Sequence, residues 1–554
     1  MRRLARVAVL ALLGLGVLVV TAWQSGWLDQ LLIERFVRGP QRENLARQLH
    51  TPQGYSGRRE LDFSPFEATL GALGDARLGA LEAMVADAAI PDLQDLFERG
   101  ELTSEELALH YLARIRRHDG ALHSVTELNP DALAIARALD AERAAGRVRG
   151  PAHGIAVLLK DNIATGDRLH TTAGARALED ARADRDAFLV QRLREAGAVI
   201  LGKTALSEWA NYTSSRLPNG FSALGGQVRN PYGPFDVSGS SSGSAVAVAA
   251  GFATAAVGTE TWGSLIAPAA QNGVVAIKPS VGLVSRDRIV PVIPARDTAG
   301  PMARSVTDAA ILLDVLAGPD PRDPATLEVA APEAPYASQT DADGLRGQRI
   351  GLVRLHGEVV EGDAALLAGA KELLERAGAE VVDLAPLSLL GVAAEGRDFF
   401  AIADHDFRRG VDAYLAQTGA PLRSLADVIA WNARDPGARV PFGQDTLVRA
   451  QESGVTEAAH ARTLARSRER ARRSIDALLA RSDLDALAGL GVPFSVPYCA
   501  AGYPALSVPA GRRASGEPVG LVFVGRFLGE PVLIRAAFAF EATARARRAP
   551  LMGP

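Results

Sequence analysis

The chain is short of several residue types that usually narrow a reading. Its 554 residues hold one cysteine, Cys499, so no intrachain disulfide can form. That suits a cytosolic protein, and equally a bacterial envelope protein too large to need disulfide staples. Charge of one sign is also lacking: 60 basic and 64 acidic residues leave a formal net charge of −4. With basic residues interleaved among acids, nothing offers the footprint of a nucleic-acid partner. Histidines at metal-ligand spacing are missing too. His110, His118 and His123 are separated by 8 and 5 residues, and His153 and His405-Asp406 read as surface or core residues. No Gly-x-Ser-x-Gly elbow with a credible downstream histidine partner occurs. No metal and no cofactor is expected.

What is present begins at the N-terminus. Arg2, Arg3 and Arg6 precede an uncharged apolar run of 17 residues, Val7 to Trp23, at the lower limit for crossing a bilayer. The positive flank predicts an N-terminus held in the cytoplasm and a body sent across the membrane. The run serves either as an N-terminal apolar anchor helix or as a signal peptide cleaved near Val20-Thr21-Ala22. Export to the cell envelope, into the periplasm, is the expectation in both cases.

Residues 24–89 carry no legible motif. From about residue 90 to 548 the pattern is that of one large domain. Thr103 with Glu106 forms a capping box ahead of the periodic Leu107, Leu109, Tyr111, Leu112 and Ile115. A second helix is predicted from Pro130 to Ala145. Ile155 to Leu159 and Ala198 to Leu201 read as buried strands, Phe188 to Ala196 and Ala245 to Phe252 as helices. This alternation predicts an α/β layered domain with helices on both faces of a central mixed sheet. The chemistry-bearing segments lie within 150–310. A Pro/Asp/Ala-rich loop is expected at 318–345, a helical insertion at about 363–482, and strands then a closing helix over 490–547.

The most informative segment is Val237-Ser238-Gly239-Ser240-Ser241-Ser242-Gly243-Ser244-Ala245. A Gly/Ser run is ordinarily a flexible linker. This one passes directly into an apolar helix, and a second element follows, Gly258-Thr259-Glu260-Thr261-Trp262-Gly263-Ser264-Leu265. In these segments the chain resembles the amidase signature family. Ser264 lies 24 residues after Ser240, the family spacing between its two serines. His153-Gly154-Ile155-Ala156-Val157-Leu158-Leu159-Lys160-Asp161-Asn162 matches the strand that ends on the family lysine. Asn272 to Pro279, Asp297 to Arg304 and Gly502 to Ala505 match further motifs, and the similarity runs from about Leu93 to Ala544. Ser238 and Ser242 stand where glycine is usual, Glu260 replaces aspartate, and Ile266 stands where many members carry arginine. The Gly-Thr-Glu-Thr-x-Gly-Ser form is similar to the bacterial peptide amidase branch, whose members remove C-terminal amides from peptides.

The resemblance implies an amide hydrolase with Lys160 as base, Ser240 as relay and Ser264 as nucleophile. It also implies a cis peptide before Ser240 and an oxyanion hole from the backbone amides of Thr261, Trp262, Gly263 and Ser264. The expected partner is a small-molecule or peptide amide, with membrane contact through the N-terminal segment if it is not cleaved. Three other readings stand beside this one: a catalytically idle binding protein, a fatty-amide-type hydrolase at a membrane, and an ammonia-handling subunit of a transamidation complex, the last disfavoured by export. Gly197 to Thr204 also satisfies the formal pattern of a phosphate-binding loop, but its variable positions are Ala-Val-Ile-Leu, a buried strand.

Overall fold

The computed structural model describes residues 33–552, apart from 331, 356–359, 387–388 and 492–494. The apolar run Val7 to Trp23 lies outside the described residues. Among the described residues, no helix is long and apolar enough to cross a membrane.

Apolar strands run through the middle of the chain. In order they are β1 (Val125–Leu128), β2 (Ala156–Lys160), β3 (Val199–Thr204), β4 (Phe221–Ser222), β5 (Gly226–Gln227), β6 (Ala255–Glu260), β7 (Val275–Lys278) and β8 (Thr298–Ala303). There follow β9 (Arg349–Leu352), β10 (Glu380–Asp383), β11 (Ala486–Leu490), β12 (Ala505–Arg512) and β13 (Pro518–Val524). β4 and β5 form a small hairpin, and the other eleven make one sheet ordered β1-β3-β2-β6-β8-β7-β12-β13-β11-β9-β10. Pairing is parallel between β2 and its neighbours β3 and β6, and antiparallel from β6 across to β11. Every residue of β2, β3, β6, β7 and β8 is buried, so both faces of this part of the sheet are covered.

The capping box is formed: Glu106 N–H donates to Thr103 Oγ1 at 3.1 Å and Thr103 N–H to Glu106 Oε2 at 3.2 Å, opening the helix Ser104–Leu122. The next helix is Ala132–Ala144, just inside the expected bounds. The helix of the serine run starts three residues earlier than expected, at Ser242–Ala249. Gly243 allows its close approach to the sheet, since a Cβ there would lie 2.4 Å from the Ala205 carbonyl oxygen.

Strand β9 follows the expected loop. Two expectations need correction. Strand β10 lies inside the expected helical insertion, joined to β9 in parallel and linked to it through the helix Asp363–Arg376. Beyond β10 the region is helical, from the helix Leu389–Thr418 onward. The helix Ser495–Ala501 precedes β12 in a stretch read as strands. Within residues 24–89, where no motif was legible, the helix Glu67–Val85 buries Leu70, Leu81 and Val85 in the main core.

A second, separate core lies among the helices. Phe399, Ile402, Phe407, Val411, Leu415, Leu425 and Leu447 pack there with Trp209, Tyr212 and Ile293. Trp262 reaches the edge of this cluster, its ring 4.3 Å from that of Phe399 in an edge-on arrangement.

Candidate active site

Three elements converge at the end of β2. Lys160 is its last residue, Thr259 lies on the adjacent β6, and Ser240 and Ser241 lead into the helix Ser242–Ala249. The Gly239–Ser240 peptide is cis. Lys160 is completely buried, and its Nζ donates to Ser240 Oγ at 2.8 Å, Thr259 Oγ1 at 2.9 Å and Ser241 Oγ at 3.0 Å. Burial brings its pKa down from 10.5 to about 7, with the charges of Glu260 and Asp297 pulling the other way.

The hydroxyls around the amine are not equivalent. Ser241 gives its proton to the Thr259 carbonyl at 3.0 Å, and Thr259 Oγ1 also accepts from Asn162 Nδ2 at 3.0 Å. Ser240 Oγ makes no second hydrogen bond among the described residues. Its proton is free to turn toward Lys160 when the amine is neutral.

Ser264 sits on the loop after β6, largely buried at 8% exposure. Its carbonyl accepts from Ser241 N–H at 3.2 Å, which holds the loop against the serine run. The Ser240 and Ser264 hydroxyls are not hydrogen-bonded to each other among the described contacts. Gly263, at φ 76°, makes the turn that a side chain would strain.

The loop is braced from both sides. Glu260 Oε2 accepts the amides of Leu265 at 2.7 Å and Ile266 at 3.0 Å, and Cys499 Sγ donates to Glu260 Oε1 at 3.1 Å. Thr261 Oγ1 donates to Asp297 Oδ1 at 2.5 Å, and Asp297 also accepts the Val292 amide at 2.8 Å. Burial raises the Asp297 pKa, while Thr261 and the two loop amides act against it. The amides of Thr261, Trp262 and Ser264 donate to no protein acceptor among the described hydrogen bonds. The Gly263 amide lies near the Cys499 thiol, whose pKa burial and Glu260 push well up.

The structure thus brings Lys160 and Ser240 into contact and sets Ser264 and its loop beside them. Sequence reasoning missed the hydroxyls of Ser241 and Thr259 as partners of the amine, and Asp297 and Cys499 as braces. Ser241, Thr259 and Asp297 stood inside the motifs; nothing signalled Cys499. The formal phosphate-loop lysine, Lys203, is buried on β3 and donates to Ile163 O at 2.7 Å and Thr171 Oγ1 at 3.0 Å. No phosphate could reach it there.

The amidase family model matches residues 106–489, and the chain belongs to that family: it is an amidase-type hydrolase of carbon–nitrogen bonds. It is 40% identical over 494 residues to a probable amidase of Arabidopsis thaliana, covering 87% of this chain and 94% of the relative. It is similar to the native peptide amidase of Stenotrophomonas maltophilia, with TM-score 0.81 and 45% identity over 85% of this chain and 99% of that one. An amidase family protein from Bacillus anthracis superposes with TM-score 0.84 at 40% identity, covering 88% and 97% of the two chains.

Proposed function

We propose that the protein hydrolyses amides by a Ser-Ser-Lys relay through an acyl-enzyme, with Ser264 as nucleophile. The observation that carries the reading is the 2.8 Å contact between the buried Lys160 amine and Ser240, with the amine pKa near 7. A desolvated lysine is a competent base at neutral pH, and Ser-Lys variants of the catalytic triad occur on unrelated folds. Ser264 Oγ attacks the amide carbon as its proton passes to Ser240 and the Ser240 proton to Lys160. The tetrahedral oxygen is received by the unoccupied amides of Thr261, Trp262 and Ser264. When the C–N bond breaks, the relay runs backwards and delivers a proton to the leaving nitrogen. Water then releases the acid by the same route. The open Ser240–Ser264 link suits this scheme, since catalytic hydrogen bonds often tighten only with substrate bound.

Peptide amides are the substrate class we favour, on the 45% identity to the Stenotrophomonas peptide amidase. Trp262, packed on Phe399, would narrow the acyl side of such a site. Export to the cell envelope belongs to the same proposal and rests on Arg2, Arg3, Arg6 and the Val7 to Trp23 run. Fractionation of cells expressing the full chain, with and without residues 1–23, tests it; cytoplasmic recovery of both forms would overturn it.

The deciding experiment is ammonia release over a panel of amides, with Ser264→Ala as the blank. Wild-type turnover and a silent Ser264→Ala support the reading, as does covalent labelling of Ser264 by a serine-directed probe. Wild-type-like turnover by purified Ser264→Ala would overturn it. Trp262→Gly should shift preference among amides, and an unchanged profile would remove Trp262 from the acyl pocket.

A further inference from the structure

Far from Lys160 in sequence, two histidines meet between two helices. His405 and Asp406 lie on the helix Leu389–Thr418, and Glu457 and His460 lie in the first turn of the helix Glu457–Arg481. The imidazoles of His405 and His460 stack at 4.1 Å between centroids. One nitrogen from each ring and one Glu457 carboxylate oxygen lie within 4.8 Å of one another.

The proton arrangement of His405 is the telling detail. Its Nδ1 lies 3.0 Å from Asp406 Oδ1, a contact that needs a proton on Nδ1 and leaves the lone pair of a neutral ring on Nε2. His405 is 3% exposed, and Nε2 makes no hydrogen bond, yet it lies 3.3 Å from Glu457 Oε1. A buried lone pair facing a carboxylate oxygen is repulsive unless a cation serves both; Arg409, 3.1 Å from the same Glu457 oxygen, offsets the carboxylate but gives no proton to the ring nitrogen. His460 Nε2 is buried without a hydrogen bond as well, 2.8 Å from Asp406 Oδ1.

We propose that His405 Nε2, His460 and Glu457 form a binding site for a divalent transition metal of the Zn2+ or Ni2+ class. Two imidazoles and a carboxylate are the ligand set these borderline ions take, and a carboxylate behind a ligating histidine is the usual way its tautomer is held. Asp406 has that second role toward His405. Arg409 Nε lies 3.1 Å from Glu457 Oε1 and yields that oxygen when the metal binds. Glu457 is well exposed, so the ion enters from solvent and keeps an open position there. The site ties the helix Leu389–Thr418 of the second core to the helix Glu457–Arg481, whose Ala471, Ile475 and Leu479 are buried in the main core, and takes no part in the relay at Lys160.

Full-length protein, purified without a histidine tag and stripped with chelator, is titrated with ZnCl2 by calorimetry, with melting temperature followed in parallel. One Zn2+ per chain and a Tm that rises with added metal are expected. Glu457→Gln and His460→Gln should each weaken binding at least tenfold and abolish the rise in Tm, and Asp406→Asn should weaken it about 10–100-fold. Amide hydrolysis by His460→Gln should equal that of wild type, and circular dichroism checks that each variant is folded. Absence of binding to wild type, or undiminished binding to folded His405→Gln/His460→Gln, overturns the proposal.

Discussion

Lys160 and Lys278 are both completely buried lysines at the ends of β2 and β7, strands of one sheet separated by β6 and β8, yet their surroundings offer the amine different partners. Lys278 Nζ donates to two carbonyls, Pro279 O and Tyr503 O, each at 2.9 Å. Carbonyls only accept, so that site offers no donor to the lone pair of a neutral amine. Around Lys160 three hydroxyls stand beside one carbonyl, Thr259 O at 3.3 Å, and a hydroxyl can donate as well as accept. Burial lowers the pKa of both amines. Only at Lys160 does the neutral form find a partner for its lone pair. A buried lysine becomes a base through what it faces as much as through the water it has lost.

The largest effect that would break this comparison is in activity. Lys160→Met should lower kcat by at least about 10²–10⁴-fold while the chain stays folded. Lys278→Met should instead strand two carbonyls, at roughly 1–3 kcal/mol each, and leave the rate per folded molecule within a few-fold. Initial rates normalised to the folded fraction, with urea denaturation alongside, check both; a folded but equally inactive Lys278→Met would erase the distinction.

Next comes pH. kcat/KM should rise through a pKa of about 7 as Lys160 loses its proton. Stability carries the same sign. The folded pKa lies below the unfolded value of 10.5, so between about 7 and 10.5 the unfolded chain binds more protons. The contribution of Lys160 therefore improves as pH rises through that window, and Lys160→Met should lack that part of the rise. A kcat/KM flat from pH 6 to 9 would contradict the assignment.

Lys203→Met is a smaller test, since this lysine faces one carbonyl and one hydroxyl and counters the buried Asp161. It should lower stability by about 1–3 kcal/mol with kcat nearly unchanged, and no nucleotide hydrolysis should exist to lose. Smallest is Ser241→Ala, which removes one of three hydroxyl partners of the amine; kcat should fall about tenfold, the equivalent of about 1.4 kcal/mol. A larger loss than that of Ser240→Ala would exchange the roles assigned to the two serines.

The sequence carried the part of the site that is local. β2 was legible because five apolar residues end on Lys160, and the serine run because it enters an apolar helix without a break. What escaped depends on contacts between distant segments. Cys499 reaches Glu260 across 239 positions, and His460 lies 55 residues after His405, far from any ligand spacing. β9 and β10 were missed for a different reason. Each has four residues, and in β10 both ends are exposed and charged, so no apolar run or clean alternation marks it. A short strand at the rim of a sheet is decided by the neighbour that pairs with it.

The separation of the two cores has a consequence for how such a protein changes. The chemistry is set in densely packed, small-residue surroundings where one added methyl at Gly243 would collide with backbone. The helices beside Trp262 rest on their own aromatic packing. Substitutions there and substitutions at the relay share few neighbours, so their energetic effects should add with little interference. On the proposed function, selection or an engineer could reshape which amides are admitted while the relay residues are left untouched.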